Sequence, residues 1–154
     1  MAGNVKAKPD EYHTLTPYLY FDQGAKAIDW YTRVLGARER MRMPGETPDK
    51  IGHAELELGD SVMMMADMPQ SAPTRLGKTS VSFVLYVDDV DAAFKKALDA
   101  GATQVQPVED KFYGDRMGML RDPFGHEWSL GTHIEDVSPE EMQRRMAQMA
   151  PMAQ

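Results

Sequence analysis

The sequence predicts an α+β fold made of two copies of one β-α-β-β-β module, followed by a C-terminal helix. The first observation is an internal repeat, in which residues 18–22 (YLYFD) match residues 84–88 (VLYVD) at an offset of 66 positions. The second is that each matching segment has strand-like alternation and is followed by apolar residues at helical spacing. The third is a Gly-Ala pair after each helical stretch, at 36–37 and 101–102. Together these features indicate one structural unit that occurs twice.

The first module is expected to contain one helix and four strands. Apolar residues recur at helical spacing through 24–35, and Gly36 stands where a helix typically stops. Gly59-Asp60 is typical of a tight hairpin turn between two strands. The strands, which alternate apolar and polar residues, are expected at 15–21, 37–43, 51–58 and 61–66.

The second module repeats this order of elements. A helix is expected over 89–100, and residues 122–125 (DPFG) are typical of the final turn. Its four strands are expected at 80–87, 103–108, 115–121 and 126–132.

The segments outside the strands and helices complete the domain organisation. Proline and glycine residues in 67–78 predict a linker between the modules. The boundaries are therefore a flexible N-terminal arm at 1–13, a first module at 14–66, the linker at 67–78, a second module at 79–132 and a C-terminal tail at 133–154.

The tail is expected to hold a helix over 138–150. Ser138 is a favourable N-cap, and Glu141 completes a capping box three residues later. Met142, Met146 and Met149 fall on one helical face. A methionine stripe of this kind is typical of a packing face, either on the same chain or on a partner subunit.

Composition excludes several classes of function. The chain has 154 residues, no cysteine and a net charge of −7. Disulfides, thiolate metal sites and cysteine nucleophiles are therefore excluded. Because no basic stripe is present to neutralise phosphates, we expect no nucleic-acid partner. No apolar run is long enough for a membrane span or a secretory leader, so we expect no membrane partner and a cytoplasmic location.

Eight short segments make the chain resemble the vicinal oxygen chelate superfamily, and its PhnB-like branch in particular. This superfamily includes glyoxalase I, extradiol dioxygenases and the bleomycin resistance proteins. The resemblance implies that the mixed sheets of the two modules curl around a cavity and that the chain forms a homodimer. The segments are 16–19 (TPYL), 27–31 (AIDWY), 35–37 (LGA), 51–56 (IGHAEL), 59–61 (GDS), 113–116 (YGDR), 122–128 (DPFGHEW) and 132–137 (THIEDV).

Metal-dependent members of this superfamily hold a divalent ion with His or Glu side chains, two from each module. The resemblance places these positions at Thr16, Met63, Ser82 and Ser129, with Met64 instead of Met63 if the hairpin register slips by one residue. Hydroxyl and thioether groups are poor ligands for zinc, nickel or iron(II) in such a site. We therefore expect neither a metal nor another cofactor.

Strand alternation predicts which side chains line the cavity. Thr16 and Met63 define the cavity side in the first module, and Ser82 and Ser129 define it in the second. Ala54, Leu56 and Leu58 are expected beneath the helix, which leaves the other side of that strand for the cavity. The further side chains expected to contact a ligand are Tyr18, Tyr20, Glu57, Met65, Tyr86, Met117, Met119 and Arg121.

His53 and Glu55 are the candidate catalytic residues, because an imidazole beside a carboxylate can act as a general base with an orienting group. The same pair could instead anchor a ligand or lie on a solvated sheet face. The favoured function is binding of a small molecule in a metal-free cavity, as in sequestration of a drug or metabolite. The alternative is a metal-independent isomerase or lyase that uses His53 or Glu55. A metal-dependent lyase or dioxygenase is the third hypothesis, and whether any reaction is catalysed stays open.

Overall fold

Two structural units, residues 1–78 and 79–154, make up the chain. A computed structural model describes Gly3 and residues 5–149. Each unit contains one four-stranded mixed sheet. The α+β fold with two β-α-β-β-β modules and a C-terminal helix is thereby confirmed.

The first unit pairs its first strand with its last. The sheet order is β1-β4-β3-β2, in which β1 and β4 are parallel and the other neighbours are antiparallel. Because β1 and β4 are parallel, α1 serves as part of the crossover between them. The elements are β1 (Tyr18–Phe21), α1 (Gly24–Leu35), β2 (Arg38–Pro44), β3 (Ile51–Leu58) and β4 (Ser61–Asp67).

Helix α1 covers one face of this sheet and leaves the other face open. Leu19 and Phe21 of β1 are buried, and the Phe21 ring packs edge-on against Tyr31 of α1 with centroids 5.9 Å apart. Ala54 and Leu56 of β3 are buried on the same side, as the alternation predicts. Gly36 ends α1 in the left-handed region at φ 71°, which glycine adopts at little cost.

The end of β4 fixes where α1 begins. One carboxylate oxygen of Asp67 accepts a hydrogen bond from the Gly24 backbone N–H at 2.7 Å, and the other accepts from Ile51 N–H at 2.8 Å. These bonds satisfy a donor at the helix N-terminus, which has no partner within the helix. They also hold the first turn of α1 against the start of β3.

The segment expected to be a plain linker, 67–78, contains regular structure. A 3₁₀ turn spans Pro69–Ser71, and a short helix, α2, spans Pro73–Leu76. Proline stands at the first position of both, where its fixed φ suits a helix and its missing N–H has no cost. The prolines that suggested a break in structure therefore start two short helical turns.

The second unit has the same topology. Its sheet order is β5-β8-β7-β6, with β5 and β8 parallel and the other neighbours antiparallel. The bounds differ from the expected ones by two residues at most. The elements are β5 (Ser82–Tyr86), α3 (Val90–Asp99), β6 (Thr103–Asp110), β7 (Asp115–Arg121) and β8 (Glu127–His133).

Helix α3 packs closely on one face of the second sheet. A Cβ built on Gly118 of β7 would come within 2.8 Å of the Phe94 ring of α3, so only glycine fits there. Trp128 of β8 is buried on this face and contacts Phe83 of β5 with ring centroids 5.1 Å apart. The opposite face carries Ser82, Val84 and Tyr86 of β5.

The C-terminal helix, α4, spans Pro139–Met149, and the predicted final residue, 150, lies outside the described part of the chain. The Ser138 hydroxyl accepts a hydrogen bond from Glu141 N–H at 3.2 Å, which is the predicted N-cap. Arg145 joins the helix to its own unit by donating to the Phe112 carbonyl and to Glu135. Within the described residues, no helix is both long and apolar enough to span a bilayer.

Candidate functional site

A row of side chains crosses all four strands on the open face of the first sheet. Residues that pair directly across neighbouring strands point to the same side of a sheet. Tyr18 pairs with Met64, Met64 with Glu55, and Glu55 with Met41. Tyr18 is 42% exposed, so the row includes an accessible aromatic ring. We call this surface, formed by Tyr18, Tyr20, Met41, His53, Glu55 and Met64, the β1–β3 face.

Glu55 is a buried carboxylate at the centre of the β1–β3 face. It is 4% exposed, although its strand neighbours His53 and Glu57 are partly open to solvent. Its Oε1 accepts a hydrogen bond from the Tyr12 hydroxyl at 2.5 Å and lies 3.4 Å from His53 Nε2. The Nε of Arg40 lies 3.8 Å from Oε2. The carboxylate therefore lies beside a guanidinium, a phenol hydroxyl and an imidazole nitrogen.

Tyr12 comes from the N-terminal arm, which the sequence predicts to be flexible over 1–13. In the structure its hydroxyl is held by Glu55, and the Arg40 guanidinium lies 5.2 Å from the centre of its ring. The hydrogen bond to Glu55 is the main cause of a raised pKa of Tyr12, so its phenol stays a donor. No motif or spacing marks Tyr12, because its partners lie 28 and 43 positions away in the chain.

His53 connects Glu55 to the exposed tyrosines. Its Nδ1 lies 2.9 Å from the Tyr18 hydroxyl, and the two rings are 5.5 Å apart. The Tyr20 ring follows at 5.6 Å from that of Tyr18. Burial raises the pKa of Tyr18, so its hydroxyl keeps its proton near neutral pH. A neutral His53 that accepts from Tyr18 at Nδ1 can donate from Nε2 to Glu55.

The predicted orientation of Met63 and Met65 is wrong. Met65 pairs with Leu19 and Met63 pairs with Leu56, and all four side chains are buried on the α1 side of the sheet. The Gly59-Asp60 turn fixes the register so that Met64 points to the open face. A shift of one residue moves every side chain of a strand to the opposite face, and three consecutive methionines give no sign of which register applies.

In the second unit, the predicted cavity residues share the open face of the sheet. Val84 of β5 pairs with Ser129 of β8, which pairs with Met119 of β7. The neighbouring rows on this face hold Ser82, Glu127 and Arg121, and Tyr86, Gly131 and Met117. Arg121 is engaged in an ion pair with Glu127 at 2.9 Å. The role of these side chains in ligand binding stays a prediction.

A second hydrogen-bonded network lies at one end of this face. The buried carboxylate of Asp115 accepts from the Tyr86 hydroxyl at 2.7 Å and lies 2.7 Å from His133 Nδ1. His133 Nε2 lies 2.8 Å from Asp136.

Each unit also has a cavity. One of about 440 Å³ lies in the first unit beside Lys50 and Asp67. One of about 410 Å³ lies in the second unit and adjoins Tyr86 and His133.

The charges in this network shift two pKa values in opposite directions. Hydrogen bonds to Asp136 and to Asp115 raise the pKa of His133 above 6.5. Burial by itself would raise the pKa of Asp115, but the hydrogen bonds from His133 and Tyr86 outweigh it, and the pKa lies below 3.8. His133, held between two carboxylates, is therefore expected to stay an imidazolium to higher pH than a free histidine does.

These shifts predict a pH-dependent stability that disappears in His133→Gln. The His133 contribution is complete below its unfolded-state pKa of about 6.5 and is lost as pH rises through the raised folded-state value. The Asp115 contribution is complete above about 3.8 and is lost as pH falls through its lowered value. Urea unfolding at about pH 5.5 and about pH 8.5 should show a larger stability difference between wild type and variant at the lower pH. An equal difference at both would contradict the assignment.

The four positions where the resemblance implies metal ligands do not suit a metal ion. Thr16 donates from its hydroxyl to the His13 carbonyl, Met63 is in the core, and Ser82 and Ser129 carry hydroxyls. Neutral hydroxyl and thioether groups bind zinc, nickel or iron(II) weakly compared with imidazole and carboxylate. Among the described residues, no three His, Asp or Glu side chains come together as a ligand set.

The chemical capacity of the β1–β3 face is recognition of a ring together with a polar group. Tyr18, Tyr20 and the methionines offer apolar and aromatic contacts, while Glu55 offers a buried carboxylate acceptor. His53 and Glu55 are the two predicted catalytic residues that the structure brings together. Thr16 and Glu57 lie in the same unit, but Glu57 is engaged by Arg38.

Comparison with known proteins identifies relatives over most of the chain. An uncharacterized protein of Mycobacterium bovis, Mb0911c, is 46% identical over 141 residues, which are 86% of this chain and 91% of the relative. TioX from Micromonospora sp. ML1 has a similar crystal structure, with a TM-score of 0.62, 30% identity, and coverage of 82% of this chain and 100% of that one.

TnmS3 from Streptomyces sp. CB03234, described as an antibiotic binding protein, has a similar fold. It has a TM-score of 0.61 and 20% identity, and the match covers 84% of this chain and 99% of TnmS3. A family model also matches residues 13–130, which contain both sheets except for the last residues of β8. The chain belongs to the Glyoxalase/Bleomycin resistance protein/Dioxygenase superfamily.

Proposed function

We propose that the protein binds a small aromatic molecule on the β1–β3 face without a metal ion. The observation that carries this proposal is the buried Glu55 carboxylate, which His53 connects to the accessible Tyr18. A site for a small molecule typically combines apolar walls with a few fixed polar groups. Glu55 and His53 are fixed by hydrogen bonds, whereas Met41 and Met64 have flexible side chains that can adapt to a ligand.

The biological role that we propose is sequestration of a drug or metabolite. The superfamily includes bleomycin resistance proteins, and the antibiotic binding protein TnmS3 shares the fold. Sequestration requires affinity and no turnover. It is therefore compatible with hydroxyl and thioether side chains at the four positions where the resemblance implies metal ligands. A homodimer in the cytoplasm is part of this proposal, because the resemblance implies a dimer and the chain has no cysteine.

A ligand screen with a Tyr18→Ala variant tests the proposal. Aromatic and cationic compounds that bind should raise the thermal midpoint of the wild-type protein. Loss of the Tyr18 ring should weaken an aromatic ligand by roughly threefold to tenfold, since an aromatic contact contributes about 0.5–1.5 kcal/mol. Isothermal titration calorimetry would measure both affinities.

The matched control for this experiment is Leu76→Ala, which changes an exposed side chain at the end of α2. It should leave the affinity unchanged. Equal affinities of wild type and Tyr18→Ala for every aromatic ligand found would contradict binding on the β1–β3 face.

The second candidate function is a metal-independent isomerase or lyase. The observation that favours it is the 3.4 Å separation of His53 Nε2 and Glu55 Oε1, which lets the carboxylate orient the imidazole as a base. The two functions differ in turnover. Chemical change of a ligand identified in the screen, detected by mass spectrometry and lost in His53→Gln, would favour the enzyme over the binding protein.

A further inference from the structure

We propose that Tyr12 occupies the subsite of the ligand, and that the ligand is a hydroxylated aromatic compound that displaces it. The inference rests on the proposed function, because it names the chemical class that the β1–β3 face would bind. It also assigns a role to the N-terminal arm. The arm would act as a strap that closes the subsite when no ligand is bound.

The first support is the position of the Tyr12 hydroxyl. It donates to a carboxylate that is almost completely buried, and the bond spans 43 positions of the sequence. Loss of the Tyr12 hydroxyl would remove the shortest hydrogen bond of this buried carboxylate, which is costly, so another hydroxyl beside Glu55 is favoured. A ligand phenol can supply the same bond with the same geometry.

The second support is the environment of the Tyr12 ring. The Arg40 guanidinium lies 5.2 Å from its centre, within the range of a cation–π interaction. Arg40 is itself fixed near Glu55, with Nε 3.8 Å from Oε2. The subsite therefore has two features: a cation that faces an aromatic ring and an acceptor that takes the hydroxyl of that ring. Both features select a phenol over an aliphatic alcohol or a simple amine.

The third support is the weak attachment of the neighbouring residues of the arm. Leu15, three residues after Tyr12, is 88% exposed, and the ion pair of Lys6 with Asp10 is internal to the arm and exposed. Exposed ion pairs contribute little to stability. Within the described part of the arm, the contacts of Tyr12 with Glu55 and Arg40 are thus the main side-chain link to the sheet. A ligand that replaces these two contacts can release the arm.

Competition with the arm predicts that removal of Tyr12 increases affinity. A closed strap reduces apparent affinity by the fraction of molecules that are open. The hydrogen bond between Tyr12 and Glu55 is expected to favour the closed arm over the open arm by roughly tenfold or more. Tyr12→Ala should therefore bind 2-naphthol about tenfold more tightly than wild type. Tyr12→Phe, which keeps the ring near Arg40 and loses the hydroxyl, should show a smaller increase.

The experiment compares 2-naphthol with 2-methoxynaphthalene by calorimetry on wild type, Tyr12→Ala, Tyr12→Phe and the control Leu15→Ala. The methoxy compound has the same ring system but cannot donate a hydrogen bond to Glu55. The expected result is tighter binding of 2-naphthol than of the methoxy compound, with affinity in the order Tyr12→Ala, Tyr12→Phe, wild type. Leu15→Ala should match wild type. Circular dichroism would show that all four proteins are folded.

The possible contradictions separate this inference from the proposed function. If both compounds bind equally, or if Tyr12→Ala binds 2-naphthol no more tightly than wild type, the inference is overturned while binding on the β1–β3 face stands. If 2-naphthol binds none of the variants, the inference is also overturned, and the ligand screen with Tyr18→Ala decides the proposed function independently.

Discussion

Glu55→Gln introduced into the Tyr12→Ala protein is expected to weaken 2-naphthol binding by about tenfold or more. The substitution keeps the size of the side chain but replaces the carboxylate by an amide, whose oxygen is a weaker acceptor and whose NH₂ group cannot accept the ligand hydroxyl. The Tyr12→Ala background is essential, because Glu55 also holds the arm in the wild-type protein. In the wild-type background the substitution would weaken both the binding of the ligand and the attachment of Tyr12, which competes with it. The two effects on the measured affinity would partly cancel. Calorimetry of the single and double variants measures the difference.

The control for this prediction is Glu39→Gln in the same background. Glu39 lies on β2 beside Glu55's strand, but it pairs with Leu56, whose side chain points to the α1 side, and it binds Arg42 on the surface. It should therefore leave 2-naphthol affinity unchanged. Equal affinities of the Glu55 and Glu39 variants would show that the carboxylate does not contact the ligand.

The second large effect concerns the turn that joins β7 to β8. Asp122→Ala is expected to lower the free energy of unfolding by about 3 kcal/mol or more. One oxygen of this buried carboxylate accepts from Phe124 N–H at 2.9 Å and from His126 N–H at 3.0 Å. The other accepts from the buried indole of Trp128 at 2.9 Å. Alanine leaves these donors without their acceptor, and each such buried loss costs about 1–3 kcal/mol.

Asp60→Ala is the matched control, because Asp60 stands in the corresponding hairpin of the first unit. Its carboxylate is exposed and accepts from the Ser61 hydroxyl at 3.2 Å. Urea unfolding should show a change of less than about 1 kcal/mol. A loss in Asp122→Ala as small as that in Asp60→Ala would contradict the structural role of the Asp122 turn.

The sequence was sufficient to predict the fold because each element has a local signal. Helix α1 was predicted with its observed bounds from apolar spacing and from Gly36, which has the left-handed conformation expected of a helix stop. Strand β3 was predicted equally well, because Ala54, Leu56 and Leu58 alternate with polar residues. The repeat then supplied the second module, where the local patterns alone are weaker.

The site was predicted less completely, because it depends on contacts between distant segments. The alternation placed His53 and Glu55 on one face of a strand, but it did not show that Glu55 is buried. Burial results from the row of residues on the neighbouring strands and from Tyr12, which arrives from the arm. The register of β4 was uncertain at Met63, Met64 and Met65, because identical residues do not indicate which side chains face α1 and which face the open side of the sheet.

The two units use histidine in different ways, although they share a topology. His53 contacts the exposed Tyr18 and adjoins Glu55, which also accepts a hydrogen bond from Tyr12 of the arm. His133 lies between Asp115 and Asp136 at the end of β8 and is held by both carboxylates. Both ring nitrogens of His133 lie against carboxylates, so we expect this second network to stabilise its unit, while ligand binding on the β1–β3 face is our proposal.

The most direct test of the central claim is an NMR titration of backbone amides with 2-naphthol. If the β1–β3 face binds a hydroxylated aromatic compound, the largest shift changes will occur in β1 at Tyr18, in β3 at His53 and Glu55, and in the arm at Tyr12. Release of the arm should also narrow the resonances of residues 5–12 as they gain motion. Shift changes confined to other surfaces, with Tyr12, Tyr18 and Glu55 unaffected at saturation, would contradict the account.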